Sequence, residues 1–281
     1  MEARMRAIPL LLFAVVSSAA PLAAQDDSTL AFLRPAQSAQ EALRAYQNKP
    51  YVPIRISEIR TAGFLTEGVA FPFGRALGAV TPPTVRTSSS TAPIMKGTKI
   101  AVIPPSGGSY AVGDTLLIAY RQVGPRGWGE IVIPTGLLAV VEVNSRQTIA
   151  KLVSVYGPIR EDQVVYPAEP LAAAREVDPV ATPDGPSGMV LAHRTPRELQ
   201  MPGGVLFTDL GRDDGIGQGD FVQIRRRARH VVDGADRINE VLATAQVVHV
   251  GARSSTIRVI EVISPEVEPG AQVVRVATLP N

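Results

Sequence analysis

The sequence contains no cysteine. This absence excludes a disulfide framework, a thiolate metal site and a cysteine nucleophile, and it leaves no residue to carry a lipoprotein anchor. Aromatic residues make up only 5% of the chain, and 28 basic side chains are nearly balanced by 26 acidic ones. Nucleic-acid binding usually requires a marked basic excess on one surface, so we expect no nucleic-acid partner.

Long apolar runs are also missing, except at the start of the chain. Arg4 and Arg6 precede an apolar segment of about a dozen residues, which suits a secretory signal and is too short to span a bilayer. Small residues then lead to Ala24, after which the chain becomes polar. We therefore expect a cleavable signal peptide of bacterial type. The mature chain, 25–281, is expected to be periplasmic or secreted and to lack a transmembrane segment.

Glycine and proline are abundant, with 24 of each, and they separate short runs rich in Val, Ile and Leu. This pattern favours short antiparallel strands, while Ser38 and Glu41 could cap one short N-terminal helix. We expect a mainly β fold with two tandem small SH3-like β-barrel modules. The expected organisation is a signal peptide (1–24), an N-terminal helix with an extended or linker region (25–98), β module 1 (99–167), a linker (168–187) and β module 2 (188–281).

An internal repeat supports the two modules. A Gly-Asp pair precedes a strand in each copy, and in both strands apolar residues two apart would face one side. Three further segments recur in the same order, with an offset of about 106 to 109 residues, as duplication of one unit produces. The predicted structural turn residues are Gly113 and Asp114 in the first copy and Gly215, Gly219 and Asp220 in the second. The further matches are 138–143 with 244–250, 148–153 with 256–261, and 162–165 with 271–274.

The second copy, with Gly211, Asp214-Gly215-Ile216, Gly219-Asp220 and then a strand with Arg225, resembles the C-terminal SH3-like module of flagellar assembly protein T. The first copy, YAVGDTLLIAYR followed by VIPTGLLAVVEV, resembles the region after LysM peptidoglycan-binding domains in bacterial envelope proteins. The resemblance covers roughly 99–278 and implies a non-enzymatic, peptidoglycan-associated role. No LysM repeat is found in 25–98, so direct binding of glycan strands does not follow from it.

The candidate ligand-binding residues lie on two hairpins. Trp128, the only tryptophan, occupies a glycine-rich loop, where it can stack on a sugar, anchor a partner or close the mouth of the barrel. The basic run 225–230 can attract an anionic polymer, or it can be a solvated hairpin arm. The candidates are Trp128, Tyr120, Arg126, Arg225 and Arg227.

Catalytic and metal motifs are not found. The three histidines are scattered, and the aspartates of 209–220 do not have the spacing of an EF-hand and are explained by turns. No nucleophile elbow occurs. We therefore expect no enzyme activity, no cofactor and no metal. The sequence favours an envelope protein that binds peptidoglycan or envelope proteins, and it leaves open an assembly subunit acting by protein–protein contacts or, less favoured, a polysaccharide hydrolase.

Overall fold

A computed structural model describes residues 54–80, 94–145, 147–169, 179–182, 185–196, 199–226 and 240–279. The expected signal peptide, the helix predicted near Ser38 and Arg227 lie outside the described residues. So do 81–93 and 170–178, which make up much of the two expected linkers. The described chain is mainly β and forms two small barrels, which confirms the predicted fold class.

The first barrel closes on itself through six antiparallel strands. Strand β5 pairs with both β4 and β6, and the ladder continues from β4 through β7, β2 and β3 back to β6. A short strand, β1, adds to the free side of β5. The strands are β1 (Phe64–Leu65), β2 (Gly74–Ala79), β3 (Lys99–Ile103), β4 (Thr115–Val123), β5 (Glu130–Val143), β6 (Thr148–Val155) and β7 (Val164–Pro167).

The second barrel repeats this pairing strand for strand. Its ladder runs β11, β12, β13, β10, β9 and β14, and the pairing of β11 with β14 closes it, while β8 adds to β14. The duplication predicted from the sequence is therefore confirmed at the level of strand connectivity. The strands are β8 (Val180–Ala181), β9 (Ser187–His193), β10 (Val205–Thr208), β11 (Phe221–Arg226), β12 (Glu240–Val250), β13 (Ser255–Val262) and β14 (Gln272–Thr278).

The module boundaries differ from expectation, because β1 and β2 fall within 25–98 and β8 falls within the expected linker 168–187. Strand β2 lies within the region 25–98, which was expected to hold an N-terminal helix and an extended or linker region, and it is an integral strand of the first barrel. Its sequence, GRALGA, is short and glycine-rich, and its inward side chains are small. Such a segment lacks the branched apolar residues by which strands are predicted.

The two Gly-Asp turns are equivalent in atomic detail. Gly113 and Gly219 both have positive φ, at 99° and 94°, and each donates its N–H to strand β5 or β12. The carboxylates of Asp114 and Asp220 accept hydrogen bonds from the backbone N–H three residues earlier, at 2.8 and 2.9 Å. Gly215 also has positive φ and ends a 3-10 turn over Arg212–Asp214. The predicted turn roles of these residues are confirmed.

The register of the repeat differs from the sequence alignment in its later part. Val140 and Val247 accept the equivalent turn hydrogen bonds, and they pair with Ala150 and Ile257 respectively. Ile257 is therefore equivalent to Ala150, whereas the sequence match had aligned it with Ile149. A shift of one residue exchanges the two faces of a strand, so the alignment had placed a core side chain opposite an outer one.

The alternation predicted for strands β4 and β11 is confirmed for their inner faces. Leu116 and Ile118 lie in the core of the first barrel, and Val222 and Ile224 lie in that of the second. The outer neighbours, expected to face water, are partly covered. Phe221 packs outside the second barrel against Val276 and Leu279. Parts of the outer faces are therefore packing surfaces.

A short helix, α1 (Ile56–Ala62), precedes β1 in a region expected to be extended or mixed. It contacts β5 of the first barrel and β12 of the second. Its seven residues would be marginal alone, so the helix depends on this tertiary packing. Within the described ranges, no helix has the length and apolar character needed to cross a membrane.

Substituting the two turn aspartates tests how far the barrels differ in burial. Asp220 is 3% exposed and lies 3.6 Å from the guanidinium of Arg275, whereas Asp114 is exposed. We expect Asp220→Ala to lower the free energy of unfolding by about 3 kcal/mol and Asp114→Ala by about 1 kcal/mol, because only the former removes the ion-pair partner of a largely buried guanidinium. Urea unfolding measures both losses, and equal losses would contradict the assignment.

Candidate functional site

The segment 54–73, which carries α1 and β1 and is called the linker from here on, lies between the two barrels. From α1, Glu58 forms an ion pair with Arg258 of β13 at 2.9 Å. Arg194, just after β9, donates a hydrogen bond to the carbonyl of Thr61 at 2.7 Å, and Thr256 donates one to the carbonyl of Gly63 at 2.8 Å. Because α1 and β1 also contact β5, this segment joins the barrels into one packed junction.

Glu67 completes the junction. It adopts φ of 55°, a conformation uncommon for a residue with a side chain. Its carboxylate oxygen Oε1 accepts hydrogen bonds from the backbone N–H groups of Arg253 and Ser254 and from the Ser254 hydroxyl, at 3.1, 2.9 and 2.6 Å. The guanidinium of Arg253 donates back to the Glu67 carbonyl at 3.0 Å. The turn between β12 and β13 is thereby fixed to the linker.

A cavity of about 510 Å³ opens beside this junction. Four aromatic rings on its wall, Phe64, Phe71, Phe73 and Tyr166, touch one another in a closed cycle with neighbouring centroids 5.6–5.9 Å apart. The imidazole of His249 stacks on Phe64 at 5.2 Å. We call this cavity the aromatic cleft. Its volume and its apolar wall with a few polar groups match the usual form of a small-molecule site.

The titratable rings of the cleft are held neutral. Burial lowers the pKa of His249; Arg212 also lowers it, and Glu169 and Glu67 oppose the shift. Burial raises the pKa of Tyr166, and the charge of Glu169 adds to that effect. At neutral pH the wall therefore presents uncharged rings, and the formal charges lie on the side chains of arginine and glutamate.

The charged residues that line the cleft differ in how fully their side chains are hydrogen-bonded within the protein. Glu67 is engaged by the Arg253–Ser254 turn, and Glu169 is exposed. Arg60 is half-buried, and its Nε is buried without a hydrogen-bond partner. Arg212 donates a long hydrogen bond of 3.4 Å to the carbonyl of Val250. Within the described ranges, neither arginine forms an ion pair.

Trp128 is directed inwards, towards the second barrel. It packs on a buried cluster that joins Leu65 and Ile131 to Phe207 of β10, and the guanidinium of Arg253 lies over its ring at 5.1 Å. The ring of Trp128 therefore contributes to the packing between the hairpin and the second barrel of the same chain. It is not among the residues that line the aromatic cleft.

The other sequence candidates do not converge on one site. Tyr120 is exposed on β4 and Arg126 is exposed at the hairpin tip. Arg225 is half-buried and donates two hydrogen bonds to Gln223, and burial lowers its pKa. Arg227 lies outside the described residues. None of the four candidates in the described part lines the cleft.

The residues of the cleft were missed, although the sequence contains one signal for them. Three of its seven phenylalanines fall within ten residues, 64–73, in a chain poor in aromatic residues. Tyr166 and His249 carry no comparable signal, because each sits in an ordinary strand of a different barrel. Only the closed strand order and the packing of the junction bring them to Phe64.

Metal ligation has no support among the described residues, where no group of three or more His, Cys, Asp or Glu side chains is arranged to hold an ion. Asp209, Asp214 and Asp220 instead accept hydrogen bonds from backbone N–H groups of their own turns or neighbouring strands. The sequence matches no protein-family model and no curated protein.

Removing the Glu67 carboxylate tests the junction. We expect Glu67→Ala to accelerate amide hydrogen exchange in the turn 251–254, because two backbone N–H groups lose their acceptor. Glu67→Gln keeps one acceptor oxygen and should have a smaller effect. Glu142→Ala, an exposed change on β5, is the matched control. Exchange in Glu67→Ala as slow as in the control would show that the contact does not hold the turn.

The half-buried His249 predicts a pH dependence of stability. Its folded pKa lies below the unfolded value of about 6.5, so its contribution is complete above that pH and is lost as the pH falls below it. His193, whose pKa burial also lowers, contributes in the same direction. We expect His249→Phe, which keeps the stacked ring, to flatten the fall in unfolding free energy between pH 7 and 5. An unchanged slope in urea titrations would contradict this.

Proposed function

We propose that the chain is a non-enzymatic, exported envelope protein that associates with peptidoglycan and acts as a binding or scaffold module. The observation that carries this proposal is the aromatic cleft, whose wall is built from the linker and both barrels. Rings fixed by mutual contact lose little entropy on binding a ligand, which favours a recognition surface. The predicted signal peptide supports placement in the envelope.

The polar groups of the cleft favour binding over hydrolysis. A glycosidase needs two carboxyl groups flanking the bond that is cleaved. The cleft contains Glu67 and Glu169, and Glu67 is committed to the turn of the second barrel through three hydrogen bonds. Residue Glu67 is therefore a structural element in this proposal, and Glu169 is the other acid among the described residues of the cleft.

A second candidate function, assembly through protein–protein contacts, has its own observation. In the second barrel the outer face at Val248 is covered by Ala62 of α1 and by Ile54, which lies just before that helix. The equivalent position in the first barrel, Val141, is exposed, as is Val153 on the neighbouring strand β6. These exposed valines share the outer face with the exposed Lys151, and such a surface would suit an envelope partner or a second copy of the chain.

Cosedimentation with purified peptidoglycan sacculi tests the first proposal. We expect the mature chain, 25–281, to sediment with the sacculi, and Phe71→Ala to lose most of that binding because Phe71 is an exposed ring of the cleft. Loss of one stacked aromatic ring corresponds to about tenfold weaker binding. Tyr120→Ala is the matched control, because Tyr120 is similarly exposed but does not line the cleft.

Three outcomes contradict parts of this proposal. If the wild-type chain stays in the supernatant, the peptidoglycan role fails and the exposed face at Val141 becomes the surface to test. If Tyr120→Ala loses binding and Phe71→Ala does not, the site is the outer face of β4. If both variants bind like the wild type, neither surface carries the interaction.

A further inference from the structure

Two guanidinium groups line a cleft whose walls are otherwise mostly apolar. Among the described residues, the Nε of Arg60 has no hydrogen-bond partner, and Arg212 donates a hydrogen bond of 3.4 Å to the carbonyl of Val250. Neither guanidinium has a carboxylate partner among the described residues, so a carboxylate bound in the cleft can supply one. Arginine at such a position favours carboxylate, because its planar donors match the two oxygens.

We infer that the aromatic cleft binds a carboxylate of the cell-wall stem peptide, held by Arg60 and Arg212, with the peptide's methyl groups against the aromatic wall. This inference rests on the proposed association with peptidoglycan and specifies which part of the polymer is bound. Stem peptides are short, contain alanine methyl groups and carry free carboxylates. They therefore present both chemistries that the cleft offers.

The wall of the cleft favours the peptide over the glycan strand. A sugar presents several hydroxyl groups, and each needs a hydrogen-bond partner when it is buried. The phenylalanine rings of the wall supply none, and the carboxylate of Glu67 is already engaged by the turn of the second barrel. A methyl-rich peptide leaves few polar groups to satisfy, apart from the carboxylate that the arginines receive.

Glu169 allows a second test of whether the bound group is negatively charged. It lines the cleft, is exposed, and is close enough to His249 and Tyr166 to affect both of their pKa values. Its negative charge opposes a bound carboxylate. Neutralising it should therefore strengthen binding, whereas neutralising either arginine should weaken it.

The experiment is calorimetric titration of the mature chain with a purified disaccharide-tetrapeptide muropeptide and, separately, with the same disaccharide lacking the peptide. We expect only the peptide-bearing probe to bind. Arg60→Gln and Arg212→Gln should each weaken its binding by about tenfold, and Glu169→Gln should strengthen it by about threefold. Arg160→Gln, which removes an exposed charge outside the cleft, should leave binding unchanged.

The possible failures are distinguishable from failure of the proposed function. Equal binding of the bare disaccharide, or cosedimentation with sacculi without muropeptide binding, would overturn the stem-peptide assignment and leave the peptidoglycan role standing. Equally tight binding of an unrelated apolar peptide with a free C-terminus would reassign the cleft to a protein partner. If Arg60→Gln does not fold, the variant Arg212→Gln tests the proposal by itself, because Arg212 is exposed. Unchanged muropeptide binding in Arg212→Gln would overturn the carboxylate contact.

Discussion

The architecture of the junction depends on one carboxylate that reaches across from the linker to the second barrel. Glu67 adopts a positive φ and receives three hydrogen bonds from the Arg253–Ser254 turn, so the linker and this turn cannot move independently while the contact is made. The space around it is close. A side chain at Gly251 would collide with the Glu67 carboxylate, and one at Gly63 would collide with the carbonyl of Val132. Glycine is therefore required at position 251, beside the Glu67 carboxylate, and at position 63, where the linker approaches the first barrel.

The aromatic cleft is a consequence of this constraint. Phe64 belongs to the short strand that adds to the first barrel, and His249 belongs to the second, yet the two rings stack at 5.2 Å. Their contact requires the linker to hold both barrels in one arrangement. The ring cycle then rests on the outer surface of the first barrel, where Phe64, Phe73 and Tyr166 pack on Ala119 and Val132. A site assembled in this way is already formed before a ligand arrives, which lowers the entropic cost of binding.

Local sequence patterns were sufficient to predict the strands and turns, and insufficient to predict what lies outside the barrels. The Gly-Asp turns depend on positive φ and on a hydrogen bond over three residues, and both can be inferred from a few adjacent letters. The register of β13 depends on which residue pairs with Val247 across the ladder, and strand sequences rich in Val and Ile allow either alignment. Helix α1 has no strong local signal, since it is stabilised by contacts with β5 and β12.

Divergence between the two repeats explains the position of the aromatic cleft. Both barrels have the same strand connectivity and the same Gly-Asp turn, so their cores are equivalent. Their outer faces are not. Phe207 contacts Trp128, and the equivalent position in the first barrel is Ala101. Thr256 donates a hydrogen bond to the carbonyl of Gly63, and the equivalent position in the first barrel is Ile149. Core positions are fixed by the closed barrel, whereas outer positions are free to diverge. The second barrel has become a docking surface for the linker, and the cleft forms only where that surface meets the first barrel.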